Sequence, residues 1–469
     1  MLFRSLRKGP DPFRQGGGGC GRGDGGGTRE PEQASPAEGH QPSALPQLRL
    51  CLQKLSIASI DEMADHGMLR RIRLHKNLSR LFPPACAARQ LKELGVRAIV
   101  LEARDRVGGR AYTDTQTLGR KFDQGPYWLH NKATNPLVPL ARQLGTNLLE
   151  SSYSNMRVFD QGALYRNISF GDVEAALEAW TLRQTLAFVK KDRSLGASLP
   201  NPTPAQKFVK NIFAVEMGED PDLVSLQSYA ALEAGEDLIP EAGMGTLAQG
   251  LSSGLDIRLD CPVSAVVWDG RHGVTVRGSF GQLTARKLII TVPTAVLASG
   301  AIRFEPALPQ TTQAAISNLP MGAFEKHAMV LSQAMPDLPE YAMSNSLVQK
   351  GVYHVLMVSP DKKMVTAFLP GTISRDLYRE GAPAIEAFTD SLLKDVIGSQ
   401  MRVVARASSN WHGDPYALGS YSIAKVGHAD ARKIYAQPIE DRLFFTGEAI
   451  DDPLALTAGA AWQIGRAHV

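Results

Sequence analysis

The chain has 469 residues and a formal net charge of +4, with 43% hydrophobic and 21% charged residues. These proportions are typical of a soluble globular protein, and the length allows two or three domains. The charge is too slight to indicate nucleic-acid binding, and no basic run interleaved with aromatic residues supports that class. The four cysteines lack the spacing of a metal site or a disulfide framework, which favours a reducing compartment.

The sequence predicts no membrane span. Its longest apolar run, Leu288 to Ile302, contains Pro293 and is too short to cross a bilayer. The N-terminus lacks the apolar segment of a secretory signal peptide, so we expect a cytoplasmic protein, although the basic stretch from Met1 to Gln15 leaves organelle targeting open. We expect residues 1–69 to be disordered or low-complexity, because their Gly, Pro, Glu and Ser bury too little apolar area.

The first predicted elements lead to a carboxylate. Cys86 to Leu94 predicts a helix with Gly95 as its C-terminal stop, and the apolar run Ala98 to Leu101 predicts a strand. Ligands of open α/β sheets bind outside the carboxyl ends of the strands. Glu102 is therefore placed where a carboxylate can accept hydrogen bonds from a ribose hydroxyl group.

Paired glycines and arginines follow this carboxylate. Gly108 and Gly109 let the backbone approach a pyrophosphate closely, and Arg106 and Arg110 can offset its charge. Any one of these residues would also suit an exposed strand end that is followed by a glycine turn. The whole string is more specific than its parts.

Three motifs together resemble the flavin-containing amine oxidase family, which includes monoamine and polyamine oxidases. They are Glu102 to Arg110, Phe122-Asp123-Gln124-Gly125 and Trp128-Leu129-His130. The resemblance covers residues 86–463 and implies that FAD binds at the strand end. It gives this cofactor-binding role to Glu102, Arg104, Gly108, Gly109 and Arg110.

The glycine-rich loop that this family places before the first helix is missing from the sequence. A dinucleotide-binding unit needs a GxGxxG turn there, so that the helix N-terminus receives the pyrophosphate. The three glycine positions hold Ser79, Leu81 and Pro84, which add bulk and, at Pro84, remove a backbone donor. Either a pseudoenzyme has lost the loop, or the segment before about Ala85 is a misread frame or a wrongly joined exon. We favour the second explanation, because the resemblance begins abruptly at Ala87.

The middle of the chain is predicted to be helical. Apolar residues recur with helical periodicity in Leu137 to Leu144, Val173 to Lys191, Gln206 to Glu216 and Leu223 to Leu232. This pattern indicates part of a substrate domain that is inserted into the nucleotide domain.

A return to the flavin domain follows. Gly243 to Leu247 is a turn that enters a helix, Val263 to Trp268 and Val274 to Arg277 form a hairpin, and Lys287 to Thr291 is a further strand. The resemblance implies that the backbone of Val263 contacts the adenine. A plain buried strand residue is the alternative.

The second half of the substrate domain carries a catalytic candidate. The segments Val352 to Met357, Val365 to Leu369 and Val403 to Ala407 predict an antiparallel sheet, and Ala384 to Val396 predicts a helix against it. The strand that ends at Lys326 resembles the family's strand whose lysine holds a water at flavin N5. A solvated charge on an edge strand is the alternative.

Two aromatic residues are expected to wall the substrate. The segments Trp411 to Pro415 and Gly419 to Tyr421 resemble the family's wall of the substrate and the flavin edge. Trp411 and Tyr421 would flank an amine, because aromatic faces suit a cation. Plain core packing is the alternative. No cysteine lies nearby, so a non-covalent FAD is expected.

The C-terminal segment resembles the family's second flavin-binding block. The match at Asp441 to Ala449 implies that Gly447 and Glu448 bind the ribityl or phosphate side of the cofactor. Leu456 stands where many relatives have an aromatic residue, so no particular amine is indicated. Ile464 to Val469 resembles a translated sequencing adapter, and we therefore expect the last helix to be truncated.

The predicted fold class is α/β: a doubly wound FAD-binding domain built from separated segments, plus a mixed α+β substrate-binding domain. The expected FAD-binding segments are residues 70–130, 241–295 and 436–469. The expected substrate-domain segments are the helical residues 131–240 and the sheet residues 296–435.

The resemblance implies oxidation of an amine. The α-carbon of a neutral amine gives hydride to the flavin, oxygen reoxidises the flavin to yield hydrogen peroxide, and the imine hydrolyses to an aldehyde. The expected partners are a small-molecule amine and oxygen, with no nucleic acid; the oligomeric state stays open. Two alternatives remain: a catalytically inactive oxidase-like protein that has lost FAD, or another flavin oxidase that acts on amino acids or cyclic compounds.

Overall fold

The computed structural model describes residues 83–151, 156–160, 162–164, 170–187, 191–199, 203–233, 235–268, 273–344, 354–398, 402–450 and 453–463. The predictions for residues 1–69, for Ser79 and Leu81, and for Ile464 to Val469 lie outside these ranges. None of the helices in the ranges has the length and hydropathy to span a bilayer. The same ranges contain no cluster of His, Cys, Asp or Glu that could hold a metal ion.

Helices are interspersed with runs of short strands along the described chain. The helices are α1 (Pro83–Glu93), α2 (Leu137–Gln143), α3 (Phe170–Ala187), α4 (Pro204–Met217), α5 (Leu226–Ala230), α6 (Met244–Ser252), α7 (Thr294–Ala298), α8 (Gln310–Ser317), α9 (Gly371–Glu380), α10 (Ala382–Ile397), α11 (Ala431–Tyr435) and α12 (Ala458–Gln463). The strands are β1 (Val100–Leu101), β2 (Thr113–Asp114), β3 (Phe122–Asp123), β4 (Leu148–Ser151), β5 (Met156–Asp160), β6 (Ala163–Leu164), β7 (Asp237–Pro240), β8 (Ile257–Arg258), β9 (Val263–Val267), β10 (Val274–Gly278), β11 (Gly281–Ala285), β12 (Leu288–Ile290), β13 (Arg303–Glu305), β14 (Phe324–Leu331), β15 (Tyr341–Ser344), β16 (His354–Val358), β17 (Met364–Pro370), β18 (Val403–Ser408) and β19 (Leu443–Phe445).

Local sequence signals set the ends of the helices. The side chain of Thr203 caps the first turn of α4, and Gly218 ends that helix in the left-handed conformation. The predicted helix from Leu223 to Leu232 is wrong in its extent. α5 begins only after Ser225, whose hydroxyl accepts the N–H of Ser228 and so caps the first turn there.

The largest sheet has seven strands in the order β18-β14-β17-β16-β15-β5-β6. Its neighbours are antiparallel except for β15 and β5, which run parallel with Tyr341 opposite Met156. The three predicted strands correspond to β16, β17 and β18, and each has only antiparallel neighbours, so their prediction as strands of an antiparallel sheet is confirmed. The parallel pair β15–β5 was not predicted. A parallel pair joins segments that are far apart in the chain, and local periodicity does not reveal such pairing.

Smaller sheets complete the fold. β1 pairs parallel with β8, β12 pairs parallel with β19, and a four-stranded sheet has the order β11-β10-β9-β13. β1 covers Val100–Leu101, which is shorter than the predicted strand from Ala98 to Leu101. The mixed α/β class is confirmed.

Two large apolar clusters form most of the core. One packs α3 and α4 against the large sheet and includes Trp180, Phe213 and Phe368. The other joins the four-stranded sheet to β12, β19, α8 and α11, and includes Val266 and Phe445. Residues from both clusters wall the same cavity.

Candidate active site

One cavity of about 740 Å³ collects most of the predicted site residues. Its volume lies within the range of roughly 300–1,000 Å³ that is usual for cofactor and small-molecule sites. Eleven residues with a predicted cofactor-binding or catalytic role line it, whereas Arg106 does not: its guanidinium donates to the carbonyl of Gly109 at 2.8 Å and lies over the ring of Tyr112. The eleven residues are Glu102, Arg104, Gly108, Gly109, Arg110, Val263, Lys326, Trp411, Tyr421, Gly447 and Glu448.

The carboxylate of Glu102 stands at the end of the β1–β8 pair. Its backbone N–H donates to the carbonyl of Arg258, and its carbonyl accepts the N–H of Cys261, each at 2.9 Å. Oε1 accepts the N–H of Arg104 at 3.0 Å, which fixes the side chain over its own turn. Burial raises the pKa of Glu102, and the bond from Arg104 opposes this. A carboxylate at this position can accept a hydrogen bond from a hydroxyl group in the cavity.

Arg104 ties the strand end to the segment that carries the aromatic wall. Its two terminal nitrogens donate to Asp414 at 2.6 and 2.9 Å, and the guanidinium lies 5.3 Å from the ring centroid of Tyr416. Such a two-point pair fixes geometry as well as charge. Arg104 therefore fixes the shape of the cavity wall, and Asp414 already offsets its charge.

Glycines leave room along the cavity. Gly108, Gly109 and Gly447 have φ angles of +96°, +55° and +131°, a region that favours glycine. A Cβ on Gly109 would meet no atom within 4 Å, and on Gly447 it would meet only the carbonyl oxygen of Thr291, at 3.9 Å. Because Gly109 and Gly447 line the cavity, their missing side chains leave space for a ligand.

The carboxylate of Glu448 is engaged by the protein. It accepts the N–H of Ser422 at 3.1 Å, the hydroxyl of Ser422 at 2.7 Å and the guanidinium of Arg110 at 3.0 Å. The buried Arg432 in turn donates to the Ser422 hydroxyl at 2.8 Å. The carboxylate thus positions Arg110, which lines the cavity.

Lys326 is a buried lysine on an interior strand. β14 lies between β18 and β17, so the alternative of a solvated edge charge is wrong. Nζ donates to the carbonyl oxygens of Asp123 at 3.1 Å and Gly125 at 2.5 Å, and it lies 5.7 Å from the ring centroid of Tyr127. Burial lowers the pKa of Lys326 to about 8, while the charge of Asp123 opposes the shift. An ammonium has three donors, so one remains for a water or a substrate.

The two predicted aromatic residues hold their polar ends in the protein. The indole N–H of Trp411 donates to the carbonyl of Gln124 at 2.8 Å, and the hydroxyl of Tyr421 donates to the carbonyl of Val215 at 3.2 Å. Burial raises the pKa of Tyr421. Both residues line the cavity and pack in the protein at the same time, so the two interpretations of them are compatible.

Sequence reasoning missed a carboxylate on the cavity wall. Glu216 is on α4, lines the cavity and accepts the hydroxyl of Tyr229 at 2.6 Å. The hydroxyl of Tyr421 also lies 3.3 Å from the backbone carbonyl of Glu216. A carboxylate on an amphipathic helix usually faces solvent, so periodicity alone gave no reason to select it.

Sequence reasoning also missed an imidazole–carboxylate pair. His130 lines the cavity, and its Nδ1 lies 3.0 Å from Oδ2 of Asp237, whose side chain is buried. An ionised carboxylate can only accept, so it holds a proton on Nδ1 and orients the ring. His130 closes the Trp128-Leu129-His130 motif, which was the available signal. Asp237 lies on β7, more than a hundred residues later.

Comparison with known proteins identifies the family. The family model for flavin-containing amine oxidoreductases matches residues 86–220 and 222–466. The chain belongs to this amine oxidase family. Its expected resemblance over residues 86–463 is thereby confirmed.

Several relatives of this chain are named polyamine oxidases. Polyamine oxidase 3 of Oryza sativa subsp. japonica is 29% identical over 427 residues, which cover 82% of this chain and 86% of the relative. Polyamine oxidase 2 of Arabidopsis thaliana is 27% identical over 421 residues, 81% of this chain and 84% of the relative. Lysine-specific histone demethylase 1B of Mus musculus is 26% identical over 417 residues, 81% of this chain but 50% of the relative.

Membership in this family implies a non-covalent FAD, and most of the cavity fits it. The cavity has a carboxylate at a parallel strand end, glycines that leave open space, and a buried lysine. One point differs: α1 begins with Pro83 and Pro84, which lack the N–H groups that such a helix offers to a phosphate. Arg110 lines the same cavity and would offer guanidinium N–H donors there, while Glu448 offsets its charge.

Proposed function

We propose that this amine oxidase uses FAD to oxidise a polyamine and releases an aldehyde and hydrogen peroxide. One observation carries the proposal: the cavity that contains Glu102 also contains the buried Lys326 and the carboxylate of Glu216. FAD, when bound, accepts hydride from the carbon next to a neutral amino group. The side chains around the cavity orient the amine and manage its protons.

Lys326 would manage the proton of the substrate. An amine reaches the cavity as an ammonium ion and reacts as a neutral amine, so it must lose a proton first. A group whose pKa is about 8 can exchange protons in neutral or mildly basic solution. Because the two carbonyl oxygens fix Nζ, its remaining donor can hold a water between lysine and substrate.

Glu216 would select a substrate with a second positive charge. Its carboxylate lies on the cavity wall, and Tyr229 orients it through a 2.6 Å hydrogen bond. A second ammonium group of a polyamine can pair with this carboxylate, whereas a monoamine has no such group. The relatives that are named polyamine oxidases agree with this substrate class.

The substrate class can be tested by peroxide release from the purified protein. Spermine and a long alkyl monoamine would be compared with wild type, E216Q and E178Q, the last a control on an exposed position of α3. We expect E216Q to raise the KM for spermine by about 10- to 100-fold, as for loss of a charge-assisted bond, and to leave the monoamine unchanged. Equal effects on both amines would contradict a role for Glu216 in recognition.

A peptide that carries methylated lysine belongs in the same assay. Some relatives are named lysine-specific histone demethylases, although the chain spans about half of their length. Preferential oxidation of the peptide would indicate that the substrate is a protein and would contradict the proposal of a polyamine.

An oxidase-like protein that does not hold FAD is the second candidate. The observation that favours it is the pair Pro83 and Pro84 at the start of α1, where a phosphate would need N–H donors. Folded, colourless protein that cannot be loaded with FAD would support this candidate over the first.

We also propose the domain division that the sequence indicates. The parallel pairs β1–β8 and β12–β19 support a doubly wound FAD-binding domain formed by residues 70–130, 241–295 and 436–469. The helical residues 131–240 and the sheet residues 296–435 would form the substrate domain.

A further inference from the structure

The strand that places Lys326 at the cavity places Glu325 behind it. Successive residues of a strand face opposite sides of the sheet. Glu325 is completely buried, with 0% of its surface exposed. A buried carboxylate is costly unless hydrogen bonds satisfy it, so its partners show what it holds in place.

The partners of Glu325 lie in one turn, residues 409–412, which follows β18. The hydroxyl of Ser409 donates to Oε2 at 2.5 Å, and the N–H of His412 donates to Oε1 at 3.0 Å. The Ser409 hydroxyl also accepts the N–H of Lys326 at 2.8 Å. The carboxylate therefore fastens the 409–412 turn to β14 at the position of the catalytic lysine.

The same turn contains Trp411. This side chain is 5% exposed, lines the cavity, and donates its indole N–H to the carbonyl of Gln124 at 2.8 Å. The N–H of Gly419 also donates to the carbonyl of Trp411 at 3.0 Å. A shift of the turn would therefore move the cavity wall.

A ring nitrogen without a hydrogen-bond partner lies next to the carboxylate. Nδ1 of His412 is buried without a hydrogen-bond partner and lies 3.7 Å from Oε1 of Glu325. A protonated carboxyl group could donate to this nitrogen, whereas the ionised form cannot. The arrangement thus offers two hydrogen-bond patterns that differ by one proton.

Charged and titratable groups from two elements face this pair. The turn region supplies Asp414, and α9 supplies Tyr378, whose ring lies 6.0 Å from that of His412, and Arg375. Burial raises the pKa of Glu325 to about 7, opposed by the hydrogen bonds that it accepts and reinforced by Asp414. Burial, with a smaller effect of Arg375, lowers the pKa of His412. The proton therefore belongs to the carboxyl group.

We propose that Glu325 is a positioning residue whose protonation state sets the place of Trp411 on the cavity wall. The ionised carboxylate holds both the Ser409 hydroxyl and the His412 N–H. The protonated carboxyl group has fewer lone pairs to accept these two hydrogen bonds, and its O–H turns toward Nδ1 of His412. The 409–412 turn is then held less tightly to β14. Any effect of this proton on the rate of amine oxidation rests on the proposed function, whereas its effect on the position of Trp411 does not.

Fluorine NMR of the full chain tests the proposal. The protein has five tryptophans, and labelling with 5-fluorotryptophan gives each of them a fluorine resonance. The resonance that is missing from the spectrum of W411F is that of Trp411. In wild type we expect this resonance to titrate with a midpoint near pH 7, and in E325Q not to titrate. E386Q, an exposed glutamate beside Arg406, should behave as wild type. A resonance that does not titrate in wild type, or titrates equally in E325Q, overturns the proposal.

A second variant keeps the proposal testable if E325Q does not fold. S409A removes a hydrogen bond to the ionised carboxylate, so the midpoint should rise by about one pH unit or more. A midpoint that stays or falls overturns the proposal. Peroxide release would be followed over the same pH range. If Trp411 titrates as expected but no amine is oxidised, the proposed function fails while this inference stands.

Discussion

The ammonium of Lys326 lies 2.5 Å from the carbonyl oxygen of Gly125, which joins the large sheet to the loop after β3. Gly125 has no space for a side chain, because a Cβ there would lie 1.8 Å from the carbonyl oxygen of Arg110. The lysine, the glycine and the arginine-bearing turn therefore pack as one unit. The residues proposed to bind the cofactor and those proposed to act on the amine depend on the same backbone contacts.

K326M should abolish most of the activity without removing the cofactor. Methionine keeps the apolar stem and removes the donors to Asp123 and Gly125. We expect the rate of peroxide release to fall by about 10²-fold or more, as for loss of a proton-transfer group, with FAD content unchanged. K287M, at an exposed lysine that pairs with Asp441, is the matched control. Activity near wild type in K326M would remove Lys326 from the mechanism.

The same lysine should also make stability depend on pH. Folding lowers the pKa of Lys326 from 10.5 to about 8, so the folded protein binds this proton less tightly than the unfolded chain. Its contribution to the free energy of unfolding is present above pH 10.5 and is lost as the pH falls through 8. Denaturant titrations should show this rise with pH in wild type and lack it in K326M. An equal slope in both proteins would contradict the buried position of the charge.

The placement of the residues around Glu102 on the cavity wall could be predicted from the sequence because its signals are local. Glu102 follows an apolar run directly, and Gly108 and Gly109 follow within a few residues. The placement of each of these residues follows from the residues next to it in the sequence. The role of Lys326 was less certain, since only the pairing of β14 with strands on both sides shows that it is interior.

The pairs formed by His130 and by Glu325 could not be predicted, because the two residues of each pair are distant in the chain. His130 and Asp237 meet only after β7 is placed, and Glu325 and His412 meet only because the turn folds back on β14. The hydrophobic periodicity of one segment does not indicate which distant residue its side chain will contact. The resemblance marked the aromatic residues of the wall but gave no reason to examine the carboxylates beside them.

Gly109 and Gly119 form a matched pair for cofactor binding. Their φ angles are +55° and +59°, and a Cβ on either would meet no atom within 4 Å. Alanine at either position should cost stability of about 1 kcal/mol through backbone strain. Since only Gly109 lines the cavity, we expect G109A alone to weaken FAD binding, measured by titration of the apoprotein with FAD. Equal FAD affinity in the two variants would place the cofactor elsewhere.

D237N should impair the imidazole that faces the cavity. Asparagine keeps the shape and the acceptor for the N–H of Asn131 but no longer holds the proton on Nδ1 of His130. We expect kcat/KM for spermine to fall by roughly tenfold or more with unchanged FAD content. E236Q, at the exposed neighbour that pairs with Lys132, controls for loss of a nearby charge. If both variants lose activity equally, loss of a negative charge near the cavity explains the effect, and the contact between Asp237 and His130 does not.

The visible absorption of the purified protein, followed as spermine is added without oxygen, tests whether bound FAD oxidises an amine. We expect a flavin spectrum that bleaches with spermine and returns when air is admitted, with release of hydrogen peroxide. Protein that folds but stays colourless when FAD is supplied, or bound flavin that stays oxidised with every amine, would contradict it.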